Sequence, residues 1–158
     1  MAISVRMDRN NRPVYREAQA LPTKFQQAIR RGFLNYMGAL KVEANKEILY
    51  GKKTGRVYWV RRGITRRRHR HQSSARGETH ANLSGKLRLS LSWRVEGWER
   101  ATFGYGVSTN ATHVAPVYAP WVEKGTKRMA ARPSLLNAIE VVEPEEHMAA
   151  AFDWEFRR

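Results

Sequence analysis

The chain has 158 residues, 42% of them hydrophobic and 10% aromatic, with a formal net charge of +15 and a pI near 10.9; that is one domain's worth of chain, residues 1–158, with the composition of a folded protein. The charge balance implies an anionic partner, nucleic acid first. Cysteine is absent, which excludes disulfide staples and thiolate chemistry, and no window approaches the ~18 apolar residues of a membrane span, so a soluble intracellular or virion protein without a membrane partner is expected.

Ile3, Val5 and Met7 alternate with Ser4, Arg6 and Asp8, the period of a short strand with one buried face, and Asn10-Asn11 reads as a turn. From Pro22, apolar side chains recur at Phe25, Ile29, Phe33, Tyr36, Met37, Leu40, Ala44 and Ile48, three and four apart. That spacing predicts a helix running to Gly51, about 43 Å long at the usual rise. Arg56 to Val60 (RVYWV) has the β-branched and aromatic content of a strand. Beyond it, residues 61–82 carry almost no core-forming side chains and read as a long, mobile basic loop.

Leu87, Leu89, Leu91, Trp93 and Val95 alternate with polar residues, as do Ala101, Phe103, Tyr105 and Val107 after Gly97; an antiparallel hairpin is the simplest arrangement. Pro133 opens a C-terminal helical segment, 133–157, with Leu135, Leu136, Ile139 and Val142 on one face. Pro144 restarts it with Met148, Phe152 and Phe156 four apart. The order predicts an α+β fold: a long N-terminal helix packed on a small, mostly antiparallel sheet, with a long basic loop and a C-terminal helix. The large apolar stripes are all needed for this core, so the isolated protein is expected to be monomeric or weakly associated.

Signals of catalysis are poor. There is no GxxxxGK[ST], GxGxxG or GxSxG, and GKKTG at Gly51 only superficially resembles the first. His69, His71 and His80 have the donor type for zinc, but four neighbouring arginines repel a cation and no carboxylate completes the set, so they read as solvated loop histidines. No catalytic residue, metal or cofactor is expected. The segment Gly51 to Arg76 holds ten Lys or Arg and no Asp or Glu, whereas the C-terminal helix is acidic. Such segregation makes a field that attracts phosphate, and the candidate surface is Arg61, Arg62, Arg66, Arg67, Arg68, Arg70 and Arg76. Aromatic residues do not interleave with these arginines in sequence, so any nucleic-acid contact should be sequence-blind and salt-sensitive.

One block stands apart: Tyr118 to Pro133, YAPWVEKGTKRMAARP, followed by SLLNAIEVV. Pro120 opens a short helical turn, Gly125 closes it in a left-handed conformation and Pro133 begins the next helix, a rigid corner. Glu123 sits among Lys124, Lys127, Arg128 and Arg132, where a local salt bridge is expected.

This block resembles the signature of the neck or tail-completion family of long-tailed bacteriophages. The similarity extends along most of the chain through Gly55-Arg56-Val57-Tyr58, the polar stretch His71 to Glu78 and Ser84-Gly85-Lys86-Leu87. It departs at Arg76 and Ser84, where the family often has Pro and Thr, and at the TRRRH insert. The resemblance implies an architectural subunit of the virion neck, present in host cytoplasm during assembly. It would stand in a ring of copies of itself between the connector or head-closure protein and the tail terminator, with genomic DNA passing through. Tyr118, Pro120, Val122, Glu123, Gly125, Thr126, Ala131, Arg132 and Pro133 would be structural and interface residues, and the basic loop would meet DNA or an acidic neighbouring ring. The alternative is a sequence-independent DNA- or RNA-binding protein acting through that loop; a small nuclease using the histidines ranks third.

Overall fold

The computed structural model describes residues 2–6, 23–62, 67–82, 84–107 and 114–157, with 2–6 and 62 described by backbone alone. Met7, the Asn10-Asn11 turn, Pro22 and Arg66 lie outside the described residues. Strand β1 (Ala2–Arg6) precedes helix α1 (Thr23–Tyr50). Strands β2 (Val57–Arg62) and β3 (Arg67–Gln72) follow, then a single helical turn, α2 (Lys86–Leu89). Strands β4 (Leu91–Glu96) and β5 (Arg100–Tyr105) lead to helices α3 (Ala119–Lys124), α4 (Ser134–Val141) and α5 (Pro144–Phe156).

Helix α1 lies where its apolar spacing put it, and it buries Ile29, Phe33, Tyr36, Met37, Leu40, Ala44 and Ile48 along one stripe. That stripe packs on β4, β5, α4 and α5. The crossing with α5 is close: a side chain at Gly32 would collide with Met148. At the N-terminal end Phe25 stacks edge-on against Phe152 and Phe156, with ring centres 5.6 and 4.8 Å apart. The Arg31 guanidinium lies 3.4 Å above the Trp154 ring and bonds Glu155.

The main sheet is antiparallel, in the order β1-β5-β4. Leu91 faces Tyr105, Trp93 faces Phe103 and Val95 faces Ala101, so the alternating residues of both strands stand on one face, against α1. Leu91, Ala101, Phe103 and Tyr105 are buried there with Leu135 and Ala138 of α4. The α+β architecture read from the sequence is therefore the observed one.

Two expectations fail. The segment 61–82 is not a loop throughout: β3 pairs with β2 in an antiparallel hairpin, Val57 opposite Gln72 through Arg62 opposite Arg67. The ladder is made of backbone groups, so RRHRHQ needs no apolar side chain of its own once Val57–Val60 supply an extended partner. Residues 73–82 then return along the body: Ser73 donates its backbone N–H to Arg56, and Glu78 accepts from Ala75 N–H and from both the N–H and hydroxyl of Thr54. The second failure is at Leu87 and Leu89, which belong to α2 rather than to β4. Here Gly85, at φ 78°, turns the chain and its carbonyl receives Leu89 N–H at 2.8 Å. Leu87 is buried and Leu89 exposed, as i and i+2 must be on a helical turn.

Candidate functional site

The block Tyr118 to Pro133 folds as the corner its prolines and glycine suggest. Tyr118 caps α3, half-exposed, and Pro120 sits in the first turn of the helix. Val122 packs partly buried on the core and its carbonyl accepts Arg132 N–H at 2.8 Å. Gly125 ends the helix at φ 74°, ψ −179°: the positive φ expected, but in the extended quadrant open essentially to glycine alone, not the left-handed helical one. The Thr126 hydroxyl accepts the N–H groups of Arg128 and Met129, and Ala131 and Pro133 carry the chain, partly buried, into α4.

Glu123 corrects the expectation of a salt bridge with its cationic neighbours. It points inward and is buried. Its Oε1 accepts the Tyr105 hydroxyl at 2.8 Å, the Ser134 hydroxyl at 2.7 Å and Ser134 N–H at 3.2 Å, while Oε2 accepts Leu135 N–H at 3.3 Å. One carboxylate thus joins β5, α3 and the start of α4. Burial, and then the Glu123 charge, push the Tyr105 phenol well above its ordinary pKa, which keeps it a donor.

His80 also departs from expectation. It is buried and its Nδ1 lies 2.9 Å from Ser134 Oγ. With the hydroxyl hydrogens of Tyr105 and Ser134 both directed at Glu123, Nδ1 must carry the ring hydrogen and donate it to Ser134. Burial first, then the charges of Lys53 and Arg132, hold the imidazole down to about pKa 4. Ser, His and Glu are thus in contact, but the order is histidine, serine, carboxylate. The serine hydroxyl, with no exposed surface, is spent on Glu123. This is a clamp; a nucleophile would need the histidine between acid and serine, and an open approach. His69 is exposed on β3, His71 and His80 border one cavity, and no three His, Asp or Glu among the described residues are placed to hold a metal.

Basic residues make two surfaces. Arg61, Arg67, Arg68 and Arg70 are exposed on the hairpin, with the Arg62 backbone in β2, while Arg66 lies outside the described residues. Among the described residues, β2 and β3 pair only with each other. At its base Tyr58 and His71 meet edge-on, ring centres 5.3 Å apart, and line a cavity of about 380 Å³ with Ser74, His80, Tyr118 and Arg132. Arg76 joins the second surface, an open groove of about 610 Å³ shared with Lys124, Lys127 and Arg128. Sequence order offers those three cations as partners for Glu123. The fold turns the acid inward and leaves the cations facing solvent with Arg76.

The other residue missed is Trp59. In sequence it precedes the arginines, but the register sets it opposite Arg70, with Arg61 and Arg68 as the next pair toward the tip. Directly opposed residues share a face, so an indole 65% exposed stands among three arginines. Only the pairing, not the sequence order, reveals this interleaving. No family model, curated protein or solved structure matches the chain.

Proposed function

We propose that this protein is a structural subunit of a bacteriophage neck, one of a ring of copies joining the DNA-filled head to the tail terminator, with its basic hairpin directed at the DNA that passes. The observation that carries the reading is the folding of Tyr118 to Pro133 as one hydrogen-bonded corner, in which Glu123 ties α3 to β5 and α4. A motif whose only buried charge is spent on internal donors suits architecture. The test is the head–tail junction of the encoding phage. The Arg67→Ser/Arg68→Ser/Arg70→Ser variant should fold within about 0.5 kcal/mol of wild type, because exposed charges contribute little to stability. Electron microscopy of the mutant phage should find filled heads beside free tails. Absence of the protein from purified virions, read by mass spectrometry, would sink the proposal.

A second reading, a free sequence-independent nucleic-acid-binding protein, is favoured by the two carboxylate-free basic surfaces. Its signature is a steep salt dependence of duplex binding, with log affinity against log salt flattening by roughly 0.9 for each phosphate that the triple variant no longer neutralises.

A further inference from the structure

The hairpin is cationic, yet charge alone does not account for what its register places on one face. Trp59 is the most exposed tryptophan among the described residues, at 65%. An apolar side chain of that size is normally buried, since covering it takes a large apolar area out of water. Its cross-strand partner is Arg70, and the neighbouring pair on the same face is Arg61 with Arg68, about 7 Å toward the tip. The opposite face has Tyr58 beside His71. No aspartate or glutamate occurs between Gly51 and Arg76, so nothing on the hairpin repels an anion.

We propose that the β2–β3 hairpin binds unpaired nucleotides, Trp59 stacking on the face of a base while Arg61, Arg68 and Arg70 neutralise the adjoining phosphates. This rests on the nucleic-acid contact of the preceding section and narrows it to strands whose bases are free. A ring as broad as indole gains from a base only where the base face is not already covered by its duplex neighbours, and every base offers that face, so the contact is indifferent to sequence. Arginines on the same face add electrostatic attraction, and their planar guanidinium groups fit phosphate oxygens two at a time. A two-stranded ribbon also fits the major groove of a duplex. There, however, an indole beside the arginines would meet only base edges.

The experiment is fluorescence anisotropy of a labelled oligothymidylate of about 12 nucleotides, within the range one such module covers, and of a duplex of equal length, each across a salt series. Wild type should prefer the single strand. Trp59→Ala should weaken single-strand binding by about fivefold to 150-fold, the span that one stacked base is worth, with the salt slope unchanged. Trp59→Phe should retain most of the affinity, and Arg68→Ser/Arg70→Ser should flatten the single-strand slope by about 0.7 for each phosphate left without its arginine. Photocrosslinking of wild type to bromodeoxyuridine-containing strand, mapped by mass spectrometry, should mark Trp59 and does not depend on any variant folding. Equal affinity of Trp59→Ala and wild type for the single strand, or crosslinks confined to other residues, would overturn the stacking role while leaving the phosphate surface in place. Binding of neither oligonucleotide would overturn this inference and the nucleic-acid reading together, and the protein's place in the virion would then stand or fall on the virion composition alone.

Discussion

Four donors converge on Glu123: two hydroxyls and two backbone N–H groups. Glu123→Gln keeps the shape but, whichever way the amide is turned, sets its NH₂ against a backbone N–H, of Ser134 or of Leu135, that can only donate. It should cost about 2 kcal/mol or more in urea unfolding, whereas Tyr105→Phe, which removes one donor, should cost about 1 kcal/mol. His80 predicts a pH dependence. An unfolded imidazole takes its proton near pH 6.5, but the folded one only near pH 4. Between those values the unfolded chain binds more protons, so stability should fall as pH drops from about 6.5 to 4, by up to about 3 kcal/mol. His80→Asn, which keeps a donor for Ser134, should flatten thermal melts across that window. Glu78, held near pKa 2 chiefly by the Thr54 hydroxyl and then by backbone N–H groups, adds a further loss below about pH 4.5. None of these partners was legible in the sequence. Lys124, Lys127 and Arg128 are close to Glu123 along the chain, but sequence proximity does not say which side chain of a short helix turns inward. Donors from residues 105, 134 and 135 come together only when the sheet and α4 are in place.

Elements with strong periodicity are legible for a physical reason. The stripe of α1 and the alternation of β5 each face a single apolar environment, so period and burial coincide. Strand β3 has no such environment; five of its six residues are exposed, and its structure comes from backbone pairing that leaves no mark on side-chain pattern. Helix α2 misleads in the opposite way, because its leucines continue the alternation of β4 by accident of spacing. The corner was legible through Pro120, Gly125 and Pro133, although its hydrogen bonds were not. At Gly125 a Cβ would lie 2.7 Å from both Ala131 N and Met129 O, and φ is 74°. Gly125→Ala should therefore destabilise by at least the ~1–3 kcal/mol of the backbone strain alone. Differential scanning calorimetry reads the loss, and a melting temperature equal to wild type would mean that the corner can relax.

At the scale of the molecule, positive charge collects on the hairpin and the Arg76 groove, while Glu140, Glu143, Glu145 and Glu146 are exposed at the α4–α5 junction. Beside the apolar stripes expected to serve the core, Val114, Val117 and Trp121, which belong to none of them, are 90%, 82% and 55% exposed around the start of α3. With a net charge of +15, copies repel at low salt. Shortening the screening length from about 10 Å at 0.1 M to about 3 Å at 1 M should let this apolar surface act. Sedimentation velocity should accordingly shift from monomer toward larger species as salt rises, and Trp121→Ser should suppress the shift. A monomer at every salt concentration would leave the patch without a role in self-association.

The register of the hairpin has an energetic side. Arg61 faces Arg68, and like charges directly opposed across a ladder weaken it. The arm is thus built under internal repulsion that only counter-charge relieves. Whatever polyanion lies along it lowers that repulsion, and by thermodynamic reciprocity the free energy by which the anion stiffens the arm equals the free energy by which a stiff arm favours the anion. Amide hydrogen exchange across β2 and β3 would then slow in step with occupancy, making the arm's rigidity a gauge of what it holds.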